Sequence, residues 1–285
     1  MRRLLALFAA SIGCSHAEEV QTTPIAVDCK KLHEGRVTLA VDAEPISQSR
    51  ATATFVESTV SSRAPLCTTT TIGACVVTEC VRAQTVANTC QASEDPTSAG
   101  TIGVKGGSKP ALTMTSDGKR AYAGFSSSGP RWAPGDVIDV NAAGADVGGF
   151  SASLVFPSRV ELTGPPDYVA KKDPIPVDWR AGLALTWKPG VGRVWLHLSQ
   201  GDPELRKRTD IECETDSSAG TFTIPSEALA TLEGTRDSKT ANASLDVAGR
   251  ARVELMVGGY HVIVEALYRE EVRHLLVGLD GVPPK

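Results

Sequence analysis

The stretch RARVELMVGGYHVIVEAL, residues 250–267, decides the fold class of this 285-residue chain. Apolar residues alternate with polar ones on both sides of Gly258-Gly259, which is the pattern of half-buried β-strands. A Gly-Gly pair between two such runs predicts a hairpin, because glycine tolerates the positive φ that tight turns require. The stretch therefore predicts two antiparallel strands, over 250–257 and 260–267.

The same pattern recurs through the rest of the chain. Short strands separated by Gly and Pro turns follow one another every eight to twelve residues or so, which is typical of a β-sandwich. Residues 183–187 alternate, Lys188-Pro189-Gly190 suits a type II turn, and 194–198 continues as a returning strand. One short helix is predicted near 225–233, because Pro225 suits its start and Gly234 its end. These patterns predict an all-β, immunoglobulin-like β-sandwich.

A proline-rich connection, residues 166–178, divides the predicted strands into two halves. Regular sheet interiors exclude this density of proline. The division gives a cysteine-rich β-sandwich half over 29–165 and a second β-sandwich half over 179–285. One large sandwich and two sandwiches stapled together both fit this pattern.

Residues 1–17 have the features of an export signal. Two arginines precede nine apolar residues, a run too short to cross a bilayer permanently. In one interpretation SIGC, residues 11–14, is a lipobox, and the mature chain begins at a lipidated Cys14. In the other, a general signal peptidase cuts after Ala17. Residues 18–28 are polar and are interpreted as a tether.

The cysteine count supports export. Cys14 is lipidated or lost with the signal, so an odd total of seven becomes six. Three disulfides in an oxidising compartment are therefore predicted among Cys29, Cys67, Cys75, Cys80, Cys90 and Cys213. Only one of the six follows the proline-rich connection, so full pairing requires a bridge between the halves. The spacings do not match those of zinc ligands, and we predict no metal and no cofactor.

The net charge of the chain and the position of one tryptophan indicate which partners the protein can bind. Loss of Arg2 and Arg3 with the signal changes the formal net charge from −4 to −6, which argues against a nucleic-acid partner. Trp195 alternates with the apolar residues of its strand and shares a face with Arg193 and His197, which predicts a ligand face formed by these three residues.

The sequence contains no nucleophile motif in a catalytic context, so we predict that the protein is not an enzyme.

Three motifs carry a resemblance: SIGC at 11–14, the cysteine-rich loop over 67–90, and TWKPG with CETDSSAGTFTIPSEAL in the second half. With them the chain resembles uncharacterised bacterial lipoproteins and secreted cell-envelope proteins with β-sandwich bodies. The resemblance implies a compartment and assigns no catalytic residue.

Three functions are compatible with this sequence. The first is a non-enzymatic, lipid-anchored envelope protein with a structural or adhesive role, held at the bacterial outer membrane and contacting an envelope protein or glycan. The second is a carbohydrate- or peptide-binding module. The third is a hydrolase whose site is assembled only by the fold. Without a lipid anchor, the protein would be periplasmic or secreted.

Overall fold

The computed structural model describes residues 29–43, 47–61, 66–81, 94–117, 122, 124–170, 175–202, 207–232, 243–270 and 273–277. The predicted signal over 1–17 with Cys14, the tether over 18–28 and Cys90 lie outside the described residues, as does the side chain of Cys29.

Nineteen strands and two short α-helices lie in the described residues. In chain order the strands are β1 (Cys29–Asp42), β2 (Gln48–Ser61), β3 (Leu66–Ile72), β4 (Cys75–Val81), β5 (Glu94–Pro96), β6 (Ile102–Lys105), β7 (Leu112–Met114), β8 (Phe125–Ser128), β9 (Val137–Ala142), β10 (Phe150–Val155), β11 (Leu162–Gly164), β12 (Ile175–Val177), β13 (Leu183–Trp187), β14 (Arg193–Asp202), β15 (Lys207–Asp216), β16 (Thr221–Ile224), β17 (Ala243–Val257), β18 (Tyr260–Arg269) and β19 (Arg273–Val277). The helices are α1 (Pro166–Val169) and α2 (Ser226–Leu229). The all-β fold class and the short helix near 225–233 are confirmed.

The strands form three sheets. A twelve-stranded sheet, the large sheet, has the central order β3-β4-β15-β14-β17-β18-β1-β2-β5, with β8, β12 and β19 at its margins. The second sheet has the order β10-β9-β6-β7 and the third has the order β11-β13-β16. In the large sheet, β1 pairs in parallel with β18, and β4 pairs antiparallel with β15. Strands from before and after the proline-rich connection are therefore hydrogen-bonded neighbours.

Two hydrophobic cores lie on one face of the large sheet. The first separates β1, β2 and β18 from the four-stranded sheet and contains Phe55, Trp132 and Phe156. The second separates β14, β15 and the first part of β17 from the three-stranded sheet and α2, and contains Leu185 and Leu196. The later part of β17 packs against the first core, so this one long strand borders both. The result is a sandwich-type fold in which two small sheets cover one side of a large sheet.

The hairpin predicted at Gly258-Gly259 is present. β17 and β18 pair antiparallel with Val257 opposite Tyr260, and both glycines have a positive φ, +56° and +86°. The strand expected to begin at Arg250 is the later part of the longer β17, which begins at Ala243.

The hairpin predicted at 188–190 is wrong. β13 belongs to the three-stranded sheet, whereas β14 belongs to the large sheet. The apolar sides of the two strands face each other across the second core, where Leu185 of β13 and Leu196 of β14 are both fully buried. Buried Trp187 also donates a hydrogen bond from Nε1 to the carbonyl of Ser217, 2.9 Å away. The turn therefore carries the chain from one sheet to the other.

Two disulfides join described cysteines. Cys67–Cys80 links β3 to β4, and Cys75–Cys213 links β4 to β15 across 138 residues. The second bridge connects segments on opposite sides of the proline-rich connection, which confirms that a disulfide joins them. Such bonds persist in oxidising, extracytoplasmic compartments, and they indicate that this protein resides in one. Neither described helix is long and apolar enough to span a membrane.

Candidate ligand-binding face

One face of the large sheet points away from both cores. Because side chains alternate across a strand, Arg193, Trp195 and His197 of β14 lie on this face while Leu196 is buried on the other. We call this surface the open face. Its central side chains come from β15, β14, β17, β18 and β1: Asp210, Glu212, Arg193, Trp195, His197, Asp246, Arg250, Arg252, Glu265, Arg269, Arg36 and Thr38.

Trp195 is half-buried at the centre of the open face. Its ring stacks on that of His197, with centroids 5.2 Å apart and 16° between the planes. The guanidinium of Arg250 lies 5.3 Å from the indole centroid, within cation–π range. The indole Nε1 donates a hydrogen bond to Glu212 Oε2 at 3.2 Å. These contacts, together with packing against buried Ala40, Ala248 and Leu267, hold the ring in one orientation. Part of the Trp195 side chain lines the groove described below.

The other two predicted residues pair with carboxylates on β15. Arg193 Nε lies 3.1 Å from Glu214 Oε1, and His197 Nε2 lies 3.0 Å from Asp210 Oδ1. Burial acts to raise the pKa of Asp210, but hydrogen bonds from Arg208 and His197 outweigh it and hold that pKa below its ordinary value. Asp210 is therefore a carboxylate at neutral pH, and His197 serves to orient it and to support Trp195.

A buried ion pair occupies the sheet beside Trp195. Arg250 of β17 is 5% exposed and Glu265 of β18 is 3% exposed. Glu265 accepts hydrogen bonds from Arg250 Nη2 at 3.3 Å, from Arg36 Nη1 at 3.0 Å and from Thr38 Oγ1 at 3.1 Å. One carboxylate thus connects three strands, because β18 lies between β17 and β1 in the sheet.

A second group of charged side chains, on β17, β18 and β1, lies on the open face beyond the buried ion pair. Asp246 is opposite His197 in the sheet register, and Asp42 is opposite Arg269. Burial raises the pKa of the Asp246 carboxyl above its ordinary value, and the positive charge of Arg269 only partly offsets that effect. The open face therefore keeps several charged groups in a partly desolvated setting, where electrostatic interactions are stronger than in water.

Three adjoining cavities form a groove across the open face. A cavity of about 500 Å³ is lined by residues that include Arg193, Trp195 and Glu214. A central cavity of about 230 Å³ shares Trp195, Glu212, Arg250 and Arg252 with it. A third, of about 450 Å³, meets the central one at Arg36 and reaches the threonines of β2. We call these three cavities the charged groove. Arg193 and Trp195 line it, whereas His197 lies beside it.

Sequence reasoning missed Arg250, Glu265 and Arg36, which line the central cavity of the charged groove. Their sequence separations are large, and only the pairing of β17, β18 and β1 brings them together. One local signal was available. Glu265 interrupts the apolar run VIVEAL, and a carboxylate in a buried strand requires a partner.

The arrangement suits recognition of a polar ligand by side chains. No family model and no curated protein sequence matches this chain. In the described part of the chain, no group of three or more His, Cys, Asp or Glu side chains is positioned to hold a metal ion. The groove instead offers guanidinium groups, carboxylates, threonine hydroxyls and one indole ring as binding groups.

Proposed function

We propose that this chain is a non-enzymatic, exported cell-envelope protein with an adhesive role, and that its charged groove binds a glycan. The proposal includes a lipid anchor at Cys14, which would tether the β-sandwich body to the bacterial outer membrane through the polar segment over 18–28. The disulfide-bonded body supports the extracytoplasmic part of this proposal.

The observation that carries the proposal is the composition of the open face. An outward-facing sheet surface on a monomeric domain is normally a scatter of exposed polar side chains. Here the indole ring of Trp195 contacts both His197 and Arg250. The ion pair of Arg250 and Glu265 beside it is more than nine-tenths buried. Keeping buried charges in place costs free energy that a stabilising role does not require, which favours a binding role.

The open face favours a glycan over an extended peptide. Each central strand is paired on both sides: β14 with β15 and β17, and β18 with β17 and β1. Their backbone groups are already hydrogen-bonded, so a peptide cannot add itself as another strand here. Side chains alone must recognise the ligand. Sugar hydroxyls both donate and accept hydrogen bonds, and they match a surface that mixes arginine, carboxylate and threonine groups.

The hydrolase alternative has less support in the described geometry. A hydrolase needs a nucleophile within hydrogen-bonding reach of a base. The Nε2 atoms of His197 and His261 each pair with a carboxylate, from Asp210 at 3.0 Å and from Glu254 at 2.7 Å. Each pairing leaves Nδ1 as the ring nitrogen that could act as a base, and among the hydrogen bonds of the described residues none joins a hydroxyl or a thiol to either imidazole.

Binding of the mature protein to an array of envelope glycans tests the proposal. We expect the wild-type protein to bind at least one glycan, and Trp195→Ala to weaken that binding up to about tenfold by loss of aromatic contact. Trp179→Ala is the matched control, because Trp179 packs against the second core and not on the open face. Binding to no glycan, or equal binding by wild type and Trp195→Ala, would contradict the proposal.

A further inference from the structure

The central cavity of the charged groove is rich in arginine. Four guanidinium groups line it against two carboxylates, so its lining is net positive although the whole chain is net negative. The arginines come from three adjacent strands, β17, β18 and β1: Arg36, Arg250, Arg252 and Arg269. A positive cavity on a negatively charged protein focuses attraction for anions at one place.

The two carboxylates in the cavity are already engaged. Glu265 accepts hydrogen bonds from Thr38, Arg36 and Arg250, and Glu212 accepts one from Trp195. The positive charge is less fully matched. The Nε atoms of Arg250 and Arg269 are buried and have no hydrogen-bond partner among the described residues. Buried polar groups are ordinarily hydrogen-bonded. Asp246 Oδ1 on the same face is also buried without a hydrogen-bond partner, but Asp246 does not line the central cavity, where four guanidinium groups face two carboxylates.

The four arginines divide into a buried floor and a more exposed rim. The Arg250 side chain is 6% exposed, whereas those of Arg36 and Arg252 are 54% and 28% exposed. The rim arginines are paired with carboxylates, Arg36 with Glu265 at 3.0 Å and Arg252 with Glu254 at 2.7 Å. The exposed part of each planar fork can also bind a ligand carboxylate, for which two parallel hydrogen bonds are the usual geometry. Buried guanidinium groups beneath and exposed ones above suit a small planar anion.

The volumes of the three cavities indicate which kind of ligand would bear this anionic group. The central cavity, about 230 Å³, is below the roughly 300–1,000 Å³ of pockets for drug-sized ligands, which suits a single small unit. Its neighbours, about 500 and 450 Å³, lie in direct continuation on either side. A chain of linked sugars could place one charged unit in the centre and neutral or polar units in the flanking cavities, with Trp195 at one boundary.

We propose that the central cavity binds the carboxylate of a uronic-acid unit within a glycan. This inference rests on the proposed glycan-binding function and specifies its ligand class. Arg36 and Arg252 contact the carboxylate, Arg250 and Arg269 supply the charge beneath it, and Trp195 contacts the neighbouring ring.

Titration calorimetry of the full mature protein with uronic-acid oligosaccharides tests the inference. The probes are galacturonate, glucuronate and mannuronate oligomers, each with its carboxyl-reduced neutral counterpart. We expect at least one acidic oligomer to bind, and its reduced counterpart to bind at least tenfold more weakly. Arg252→Gln and Arg36→Gln should each weaken binding of the acidic oligomer about tenfold or more. Arg180→Gln, an exposed arginine beside Trp179, should leave it unchanged.

Several outcomes would overturn the inference. Equal binding of acidic and reduced oligomers that still depends on Trp195 would refute the carboxylate site and leave the glycan-binding function standing. Binding of none of the acidic oligomers, while neutral glycans on the array bind, would have the same meaning. Preference for an acidic peptide over every oligosaccharide would refute both the inference and the proposed function.

Discussion

Replacing Cys75 and Cys213 together with alanine is expected to lower the free energy of unfolding by about 4–5 kcal/mol. The bridge closes a loop of 138 residues, and long loops restrict the unfolded chain most strongly. Both cysteines are also buried in the second core, so their loss removes packing as well. Against a total stability of roughly 5–15 kcal/mol for a typical domain, this is a large fraction. Urea unfolding followed by tryptophan fluorescence measures it.

The other described disulfide provides the matched control. Cys67–Cys80 closes only 13 residues within the β3–β4 hairpin, and Cys67 is exposed. Its double alanine variant should lose about 3 kcal/mol in the same chain-entropy treatment. A larger loss from removing Cys67–Cys80 than from removing Cys75–Cys213 would show that the long bridge does not hold the two parts of the large sheet together.

Replacing Glu265 with leucine is expected to destabilise the protein by about 3–5 kcal/mol. The substitution leaves the guanidinium of Arg250 buried without its nearest counter-charge, because Glu212 is 4.0 Å away and half-exposed. Arg36 tolerates the loss better, since more than half of its side chain is in water. The unfolding free energy from urea denaturation again gives the effect.

A double variant separates the charge effect from packing. In Glu265→Leu/Arg250→Met both buried charges are replaced by apolar groups, and replacing a whole buried pair is often neutral or stabilising. We expect the double variant to recover most of the stability that Glu265→Leu loses. If it were no more stable than the single variant, the destabilisation would come from altered packing on this face, where Leu267 and Ala248 are buried, and not from the unpaired charge.

The sequence was sufficient to predict features that depend on neighbouring residues. The β17–β18 hairpin follows from Gly258-Gly259, because a positive φ is a local requirement. The shared face of Arg193, Trp195 and His197 follows from the period of two along a strand. Fold class follows from the sum of such local signals.

Features that depend on distant pairing could not be predicted in this way. Lys188-Pro189-Gly190 correctly indicated a turn, but turn chemistry does not state whether the next strand returns to the same sheet. Packing in the second core determines that β14 joins the other sheet, because β13 and β14 contribute apolar side chains to this core from opposite sides. The parallel pairing of β1 with β18 joins strands more than two hundred residues apart, and no local pattern specifies it. The contact between Arg36 and Glu265 in the charged groove depends on that pairing.

The fold and the proposed function are connected through the large sheet. Covering one face with two small sheets leaves the other face accessible at the rim residues Arg36, Arg193 and Arg252. The sheet also spans the cystine-linked β4 and the strands of both cores, so the groove is supported across its whole width. A binding surface on paired strands changes shape little when a ligand arrives, which reduces the entropic cost of binding.

The proposed function requires export to the cell envelope, and the intact mass of the protein from its native host tests export most directly. The envelope fraction is analysed before and after reduction and alkylation. We expect a chain that begins at a lipid-modified Cys14, with the six remaining cysteines alkylated only after reduction. A mass that begins at Glu18 without lipid would refute the anchor and retain export. A chain that keeps Met1 and has free thiols at Cys75 and Cys213 would contradict export, and with it the proposed function.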